Sequence, residues 1–332
     1  MRPDLDAAAA AETEGDARTA LVPGRPPHSS TAEPGKGSRG AAPERAAGFI
    51  FALVSALGFS ALGILARVVY AEGLEPFQAL AWRFLVAGTS LWVWVLITGR
   101  ARGLGGRRLG KLVLLGFGFA LQAGLFFFAV EAVGPAAASL LLYLYPGFVL
   151  VIAAFAFRRR PTLAQIASFA LSLAGCALAF LRPGAWPAGG VALGLVVALT
   201  YAAYLAAGEK ALRGEDPIVA TAVLMAVAAA TFTTLSLASG GLPLPSPKAA
   251  LGLVGIAFVA TLLPITTLFA SIRRIGASDA SLVSTAELPA TLLLAALALG
   301  ETLDARALAG AALVTAGVVL IHVAERRAPP EA

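Results

Sequence analysis

The sequence predicts an all-α polytopic membrane protein with ten transmembrane helices arranged as two inverted five-helix repeats. Three observations carry this expectation. The 332 residues are 58% hydrophobic and only 13% charged, against about 45–50% apolar and about 25% charged in ordinary globular domains. The apolar residues fall in uninterrupted runs of about 20, the length that crosses a hydrocarbon slab of roughly 30 Å. The second half of the chain also echoes the first at an offset of about 142 residues. Lipid offers no partner to a free backbone N–H or C=O, so each run must be a helix or part of a closed barrel, and continuous apolarity rejects the alternating barrel pattern.

Residues 1–46 come first and are rich in Ala, Pro, Gly, Glu and Arg, with six basic and seven acidic residues. Such a segment cannot bury enough surface to offset its ordering entropy and is expected to be a disordered cytoplasmic tail. The first apolar run is too long and starts too late to be a signal-peptide core, so the tail is expected to stay on the mature protein.

The first repeat, 47–182, then holds five predicted helices. Helix 47–70 runs to Glu72 and Glu75, and helix 76–97 opens on Pro76 and stops before Arg100 and Arg102. Helix 112–130 follows Arg107, Arg108 and Lys111, helix 136–157 lies between Gly134 and the run Arg158–Arg160, and helix 163–181 ends at Arg182. The second repeat, 190–323, holds helices 191–207, followed by Lys210 and Arg213, and 218–238, opened by Pro217. Helix 249–271 follows between Lys248 and Arg273–Arg274, then 278–299 between Gly276 and Glu301, and 306–323 before Arg326–Arg327; residues 324–332 are a cytoplasmic C-terminal tail. With both termini inside, 17 Lys and Arg residues fall on the cytoplasmic side between Lys36 and Arg327, against three outside, Arg182, Lys248 and Arg306. That asymmetry fixes the orientation.

The net charge of +6 does not argue for nucleic acid, because the basic residues sit in short gaps between apolar runs rather than on one exposed face among aromatics. Cys176 has no second cysteine, and His28 and His322 are too few and too far apart for a metal, so neither a metal nor a cofactor is expected. No Gly-x-x-x-x-Gly-Lys-Ser/Thr, Gly-x-Ser-x-Gly or His-Glu-x-x-His motif occurs, which argues against ATP hydrolysis and against an intramembrane enzyme.

At the 142-residue offset Gly48 falls on Gly190, Phe59 on Tyr201, Gly134 on Gly276, Ser139 on Ser281 and Gly175 on Gly317, while Pro76 meets Pro217 and Pro146 meets Pro289 with a slip of one. Five spans per half make the halves inverted, as in many secondary transporters, whose substrate sites lie near the midplane between the halves. The cytoplasmic FRRRPTL and its outer counterpart LGETLDA put Arg159 opposite Glu301, each sign suited to its side.

The runs AVEAVGPAAASLLLYLYPGF and SIRRIGASDASLVSTAELPATLLLAALALGETL are each followed by a helix with small residues seven apart, Ser168 and Gly175 or Gly310 and Gly317. Together they resemble the EamA repeat of the drug/metabolite transporter superfamily over about residues 47–323. The resemblance implies a ten-helix transporter of bacterial inner membranes that moves amino acids or other small metabolites, usually outward. The first half departs from it, with Arg158–Arg159 where the pattern has Gly-Glu.

Ionisable groups inside spans cost about 2.5–3.5 kcal/mol each on insertion scales, so each is a functional candidate. Arg83 lies about seven residues past Pro76, roughly 10 Å below the outer boundary. Its fork suits a substrate carboxylate, although an arginine at that depth can also snorkel or bond carbonyls. Glu287 is about nine residues from the cytoplasmic end, roughly 14 Å deep, too far to snorkel. Pro289, like Pro146 in the first repeat, breaks its helix and here loosens it beside the carboxylate. Glu287 is a candidate proton-coupling group or acceptor for a substrate ammonium, with a salt bridge to Arg83 as the alternative. Gln122, Tyr143, Tyr145, Tyr201, Tyr204, Ser284 and Thr285 are candidate cavity-lining residues, with helix packing as the plainer reading for any one of them.

The leading expectation is therefore a secondary transporter in the lipid bilayer, moving a small-molecule substrate, most plausibly a zwitterion. A flippase for a lipid-linked or polyprenyl-linked molecule is the nearer rival, to be favoured by a wide lateral opening toward lipid. An intramembrane enzyme is the remote one, and a homodimer stays open.

Overall fold

The computed structural model describes residues 38–180, 186–300 and 303–327, and among these every regular element is a helix. The tail up to residue 37, Arg182, Glu301 and residues 328–332 lie outside the described residues. Helix α1 (Ser38–Ser60) starts inside the segment that composition assigns to the tail, so residues 38–46 extend the first helix; α2 (Leu62–Ala71) completes the first span. Spans two and three are α3 (Pro76–Ile97) and α4 (Gly106–Val133). The fourth is divided into α5 (Pro135–Leu142) and α6 (Tyr145–Ala156), and α7 (Leu163–Phe180) is the fifth. In the second half α8 (Ala188–Ala211) and α9 (Pro217–Ser239) precede α10 (Pro247–Ala257), a π-helical turn at Phe258–Leu262, α11 (Leu263–Ser284), α12 (Glu287–Leu299) and α13 (Ala305–Arg327). Among the described residues eight helices are long and apolar enough to cross a membrane, and α7 and α12 are shorter apolar ones. Gly276, whose φ and ψ are not helical, interrupts α11 and separates the eighth span from the ninth.

The starts have local causes. Pro76, Pro217 and Pro247 occupy first-turn positions where a missing N–H removes nothing. The side chains of Asp216 and Ser246 accept from Ile218 N at 2.9 Å and Ala249 N at 3.1 Å, taking up donors that the first turn leaves free.

The repeat reappears as geometry. Gly134 (φ 80°, ψ 161°) and Gly276 (φ 78°, ψ 168°) adopt the same left-handed turn between the third and fourth spans and the eighth and ninth, a conformation that favours glycine. About two and a half turns later both helices break at equivalent residues: Tyr143–Leu144 between α5 and α6, and Thr285–Ala286 between α11 and α12. Packing follows the same symmetry. Helix α1 lies on α11 as α8 lies on α4, while α3 pairs with α9 and α7 with α13 across the two halves. The α7–α13 contact is nearly backbone to backbone: a Cβ on Gly175 would lie 2.5 Å from Gly310 O, and Ser168 Oγ donates to Gly317 O at 2.8 Å. Small residues permit this approach, which carries helix association where lipid removes the hydrophobic drive. Outward side chains such as Phe155 and Leu114 stay exposed, as hydrocarbon surroundings allow.

Candidate functional site

The two broken spans put polar residues where both repeats meet. Glu287 opens α12 immediately after the Thr285–Ala286 break; Tyr143 and Tyr145 flank the matching break at Leu144, and Tyr201 comes from α8. Tyr143, Tyr145, Tyr201 and Cys176 all lie within Coulombic reach of the Glu287 carboxylate. The Glu287 side chain is half-buried at this break. The Tyr145 hydroxyl donates to Ser281 O at 3.1 Å, fastening α6 of the first repeat to α11 of the second. The Tyr145 and Tyr201 rings are 4.6 Å apart, and Tyr201 stacks on Tyr204 at 6.0 Å. Ser284, one turn before Glu287, is buried and donates to Ala280 O at 2.8 Å; Thr285 is within 3.1 Å of Ser172 Oγ.

Arg83 and Gln122 are placed apart from this group. Arg83 Nε donates to Thr261 Oγ1 at 2.6 Å and Nη2 to Ala260 O at 3.2 Å, and its guanidinium lies 5.0 Å from the Phe84 ring centre. Both oxygens belong to the π-helical turn. Pro264 has no N–H to offer the carbonyl four residues back, which is Ala260 O, and Arg83 supplies the missing donor. Among the described residues no ion pair joins Arg83 to Glu287. Gln122 is buried on α4, with no hydrogen bond to the Glu287 group.

At the end of the bundle that carries most of the basic loops, a polar vestibule of about 670 Å³ is lined by residues including Arg160, Arg213, Arg273, Gln165 and Asp279, and reaches inward to Leu150 and Ile272. Glu209 of α8 crosses its floor. One oxygen accepts from Arg159 Nη1 at 2.7 Å, the other from Ala277 N at 2.9 Å just past the Gly276 turn. This carboxylate thus ties the end of the fourth span to the eighth–ninth turn. Sequence reasoning passed over Glu209 because an acid followed by Lys210 near a helix end reads as solvated; the 142-residue offset, which puts it on Arg67, was the signal that could have found it. On the opposite side Lys248 Nζ is 3.0 Å from Glu72, and Ser246 Oγ donates to Glu72 at 2.7 Å. That hydroxyl and the ammonium hold the Glu72 carboxyl below the usual carboxylate range.

The comparisons agree with this architecture. The profile of the EamA-like transporter family matches residues 46–181 and again 188–323. The chain is 29% identical over 279 residues to the uncharacterized transporter YcbK of Bacillus subtilis (strain 168), covering 78% of this chain and 88% of that one. A solved crystal structure of 20% sequence identity superposes with a TM-score of 0.74 over 85% of this chain and 98% of its own, a likeness of fold.

Proposed function

This chain belongs to the EamA-like transporter family, and from that premise we propose that it is a secondary active transporter that exports small amine-bearing metabolites, amino acids and related zwitterions foremost, across the inner membrane with both termini in the cytoplasm. The observation that carries the reading is Glu287, a half-buried carboxylate at a helix break between the repeats, ringed by Tyr143, Tyr145 and Tyr201. A carboxylate among aromatic faces suits an ammonium, which gains both a charge partner and cation–π attraction. Discontinuous helices at the interface of inverted repeats are where such carriers hold substrate and coupling ion. Proton and substrate ammonium compete for Glu287, so that release of one accompanies capture of the other as the repeats rock. Tyr143, Tyr201 and Ser284 shape the pocket, and Arg83 braces the scaffold.

A concavity does open beside α4, the feature that favours the lipid-linked rival, but its walls are apolar along most of their length and supply no polar track for a headgroup, so the metabolite reading is preferred. The test is accumulation in proteoliposomes under an imposed pH gradient, against a panel of amino acids and amines. Glu287→Gln is expected to lose gradient-driven accumulation and to weaken exchange of amine-bearing substrates, because the amide neither takes a proton nor pairs with an ammonium, whereas Glu287→Asp should keep both in part. Unchanged accumulation by well-folded Glu287→Gln protein would refute the coupling role.

A further inference from the structure

A groove of about 1070 Å³ runs along the membrane-facing side of α4, walled by α8 and α9. From Lys111 to Phe128 it extends roughly 25 Å at 1.5 Å per residue, close to the full hydrocarbon thickness. Its walls are apolar, Leu114, Phe117 and Leu121 among them, and the two charged groups that line it, Lys111 and Lys210, share the end that the 17-to-3 charge bias makes cytoplasmic. Nearby cations are already matched: Arg108 pairs with Glu215 and Arg100 with Asp216, while Glu209, beside Lys210, is taken by Arg159 and Ala277. Lys111 and Lys210 have no acidic partner among the described residues. Both are exposed, and Lys210 Nζ is held 4.8 Å from the Phe157 ring centre.

A greasy channel of acyl-chain length ending in two unmatched ammonium groups at interface depth complements one kind of molecule. We propose that this groove binds an anionic phospholipid of the cytoplasmic leaflet, an acyl chain lying along α4 and the phosphate between Lys111 and Lys210. Basic pockets between spans on the cytoplasmic side recognise such headgroups by charge. The floor of the groove is Tyr204, which stacks on Tyr201, so a bound lipid would buttress the tyrosine wall of the central site without entering it.

Native mass spectrometry of the full chain, released from nanodiscs of mixed phosphatidylglycerol and phosphatidylcholine, tests this as the ratio of the two lipids retained. The unmodified protein is expected to enrich phosphatidylglycerol. Lys111→Gln or Lys210→Gln should lower the ratio about fivefold each and the double variant about 25-fold, whereas Lys→Arg at both positions should keep it. Gly124→Phe, whose new side chain projects toward the groove wall near Phe232, should reduce retention of both lipids. The ratio is read within one sample, so a lower yield of any variant leaves it interpretable. Equal retention of the two lipids by the unmodified protein, an unchanged ratio in the glutamine variants, or a dimer whose second copy covers this face would each overturn the proposal.

Discussion

Arg83 and Glu287 both sit deep in the spans, and the fold treats them differently. The guanidinium is committed to Thr261 and to the carbonyl that Pro264 leaves without a donor, so its charge serves the backbone. Removing it leaves buried acceptors unmatched, a loss of about 1–3 kcal/mol. Arg83→Met and Thr261→Val are therefore each expected to lower stability, with a double variant less destabilised than the sum because the two share one bond; denaturant or thermal unfolding in detergent reads this out. Normal stability of Arg83→Met together with lost substrate binding would instead return Arg83 to the ligand. Glu287 was legible in the sequence because an acid in an apolar run beside a proline has few structural excuses. The partner of Arg83 was not, since it depends on a π-helical turn 178 residues away that no periodicity announces. Glu209 was missed for the opposite reason: at a helix end next to a lysine, an acid that fastens two spans looks the same as one in water.

Among the elements, the paired turns and breaks are where sequence and geometry correspond most closely. The offset that aligns Gly134 with Gly276 and Pro146 with Pro289 also aligns two positive-φ turns and two helix breaks. Both glycines combine positive φ with an extended ψ, a region open essentially to glycine alone, where an added Cβ costs about 1–3 kcal/mol. Gly134→Ala and Gly276→Ala are thus expected to destabilise by similar amounts. Gly63→Ala, in α2 where a Cβ meets nothing, should stabilise by up to about 1 kcal/mol. Thermal unfolding of the three variants side by side separates turn strain from a general cost of replacing glycine. Gly310→Leu should be far more damaging, because the new side chain meets the backbone of α7 at Gly175. Apolar run length made ten spans readable. It also placed the break at Gly276 between two spans, but it could not show that the first helix starts at Ser38, because a polar, alanine-rich helical extension has no hydropathy signal.

At the scale of the whole molecule, inverted halves require that a feature closing one side has a counterpart on the other. The charge bias places Gly105 inside and Leu244 outside, so cysteines at these positions should react with impermeant reagents from opposite faces of oriented vesicles; reaction of both from one face would contradict the ten-span map. The fastening of Glu209 to Arg159 and Ala277 acquires meaning in this frame. At the 142-residue offset Glu209 falls on Arg67 and Arg159 on Glu301, so an acid and base on one side correspond to a base and acid on the other. A carrier that rocks between two states then shifts its population when either side is weakened. A partly exposed pair is worth up to about 1 kcal/mol, which is about a fivefold change in a two-state ratio. Cys176, the one cysteine in the sequence, is fully buried within reach of Glu287 and reports on opening without a cysteine-free background. In inside-out vesicles Glu209→Gln and Arg159→Gln are expected to speed modification of Cys176 by an impermeant thiol reagent about fivefold, Arg67→Gln to slow it, and the exchange Arg159→Glu with Glu209→Arg to return it toward the original rate. If all four proteins react at one rate, the Arg159–Glu209 bridge holds the loops in place without governing access to the centre.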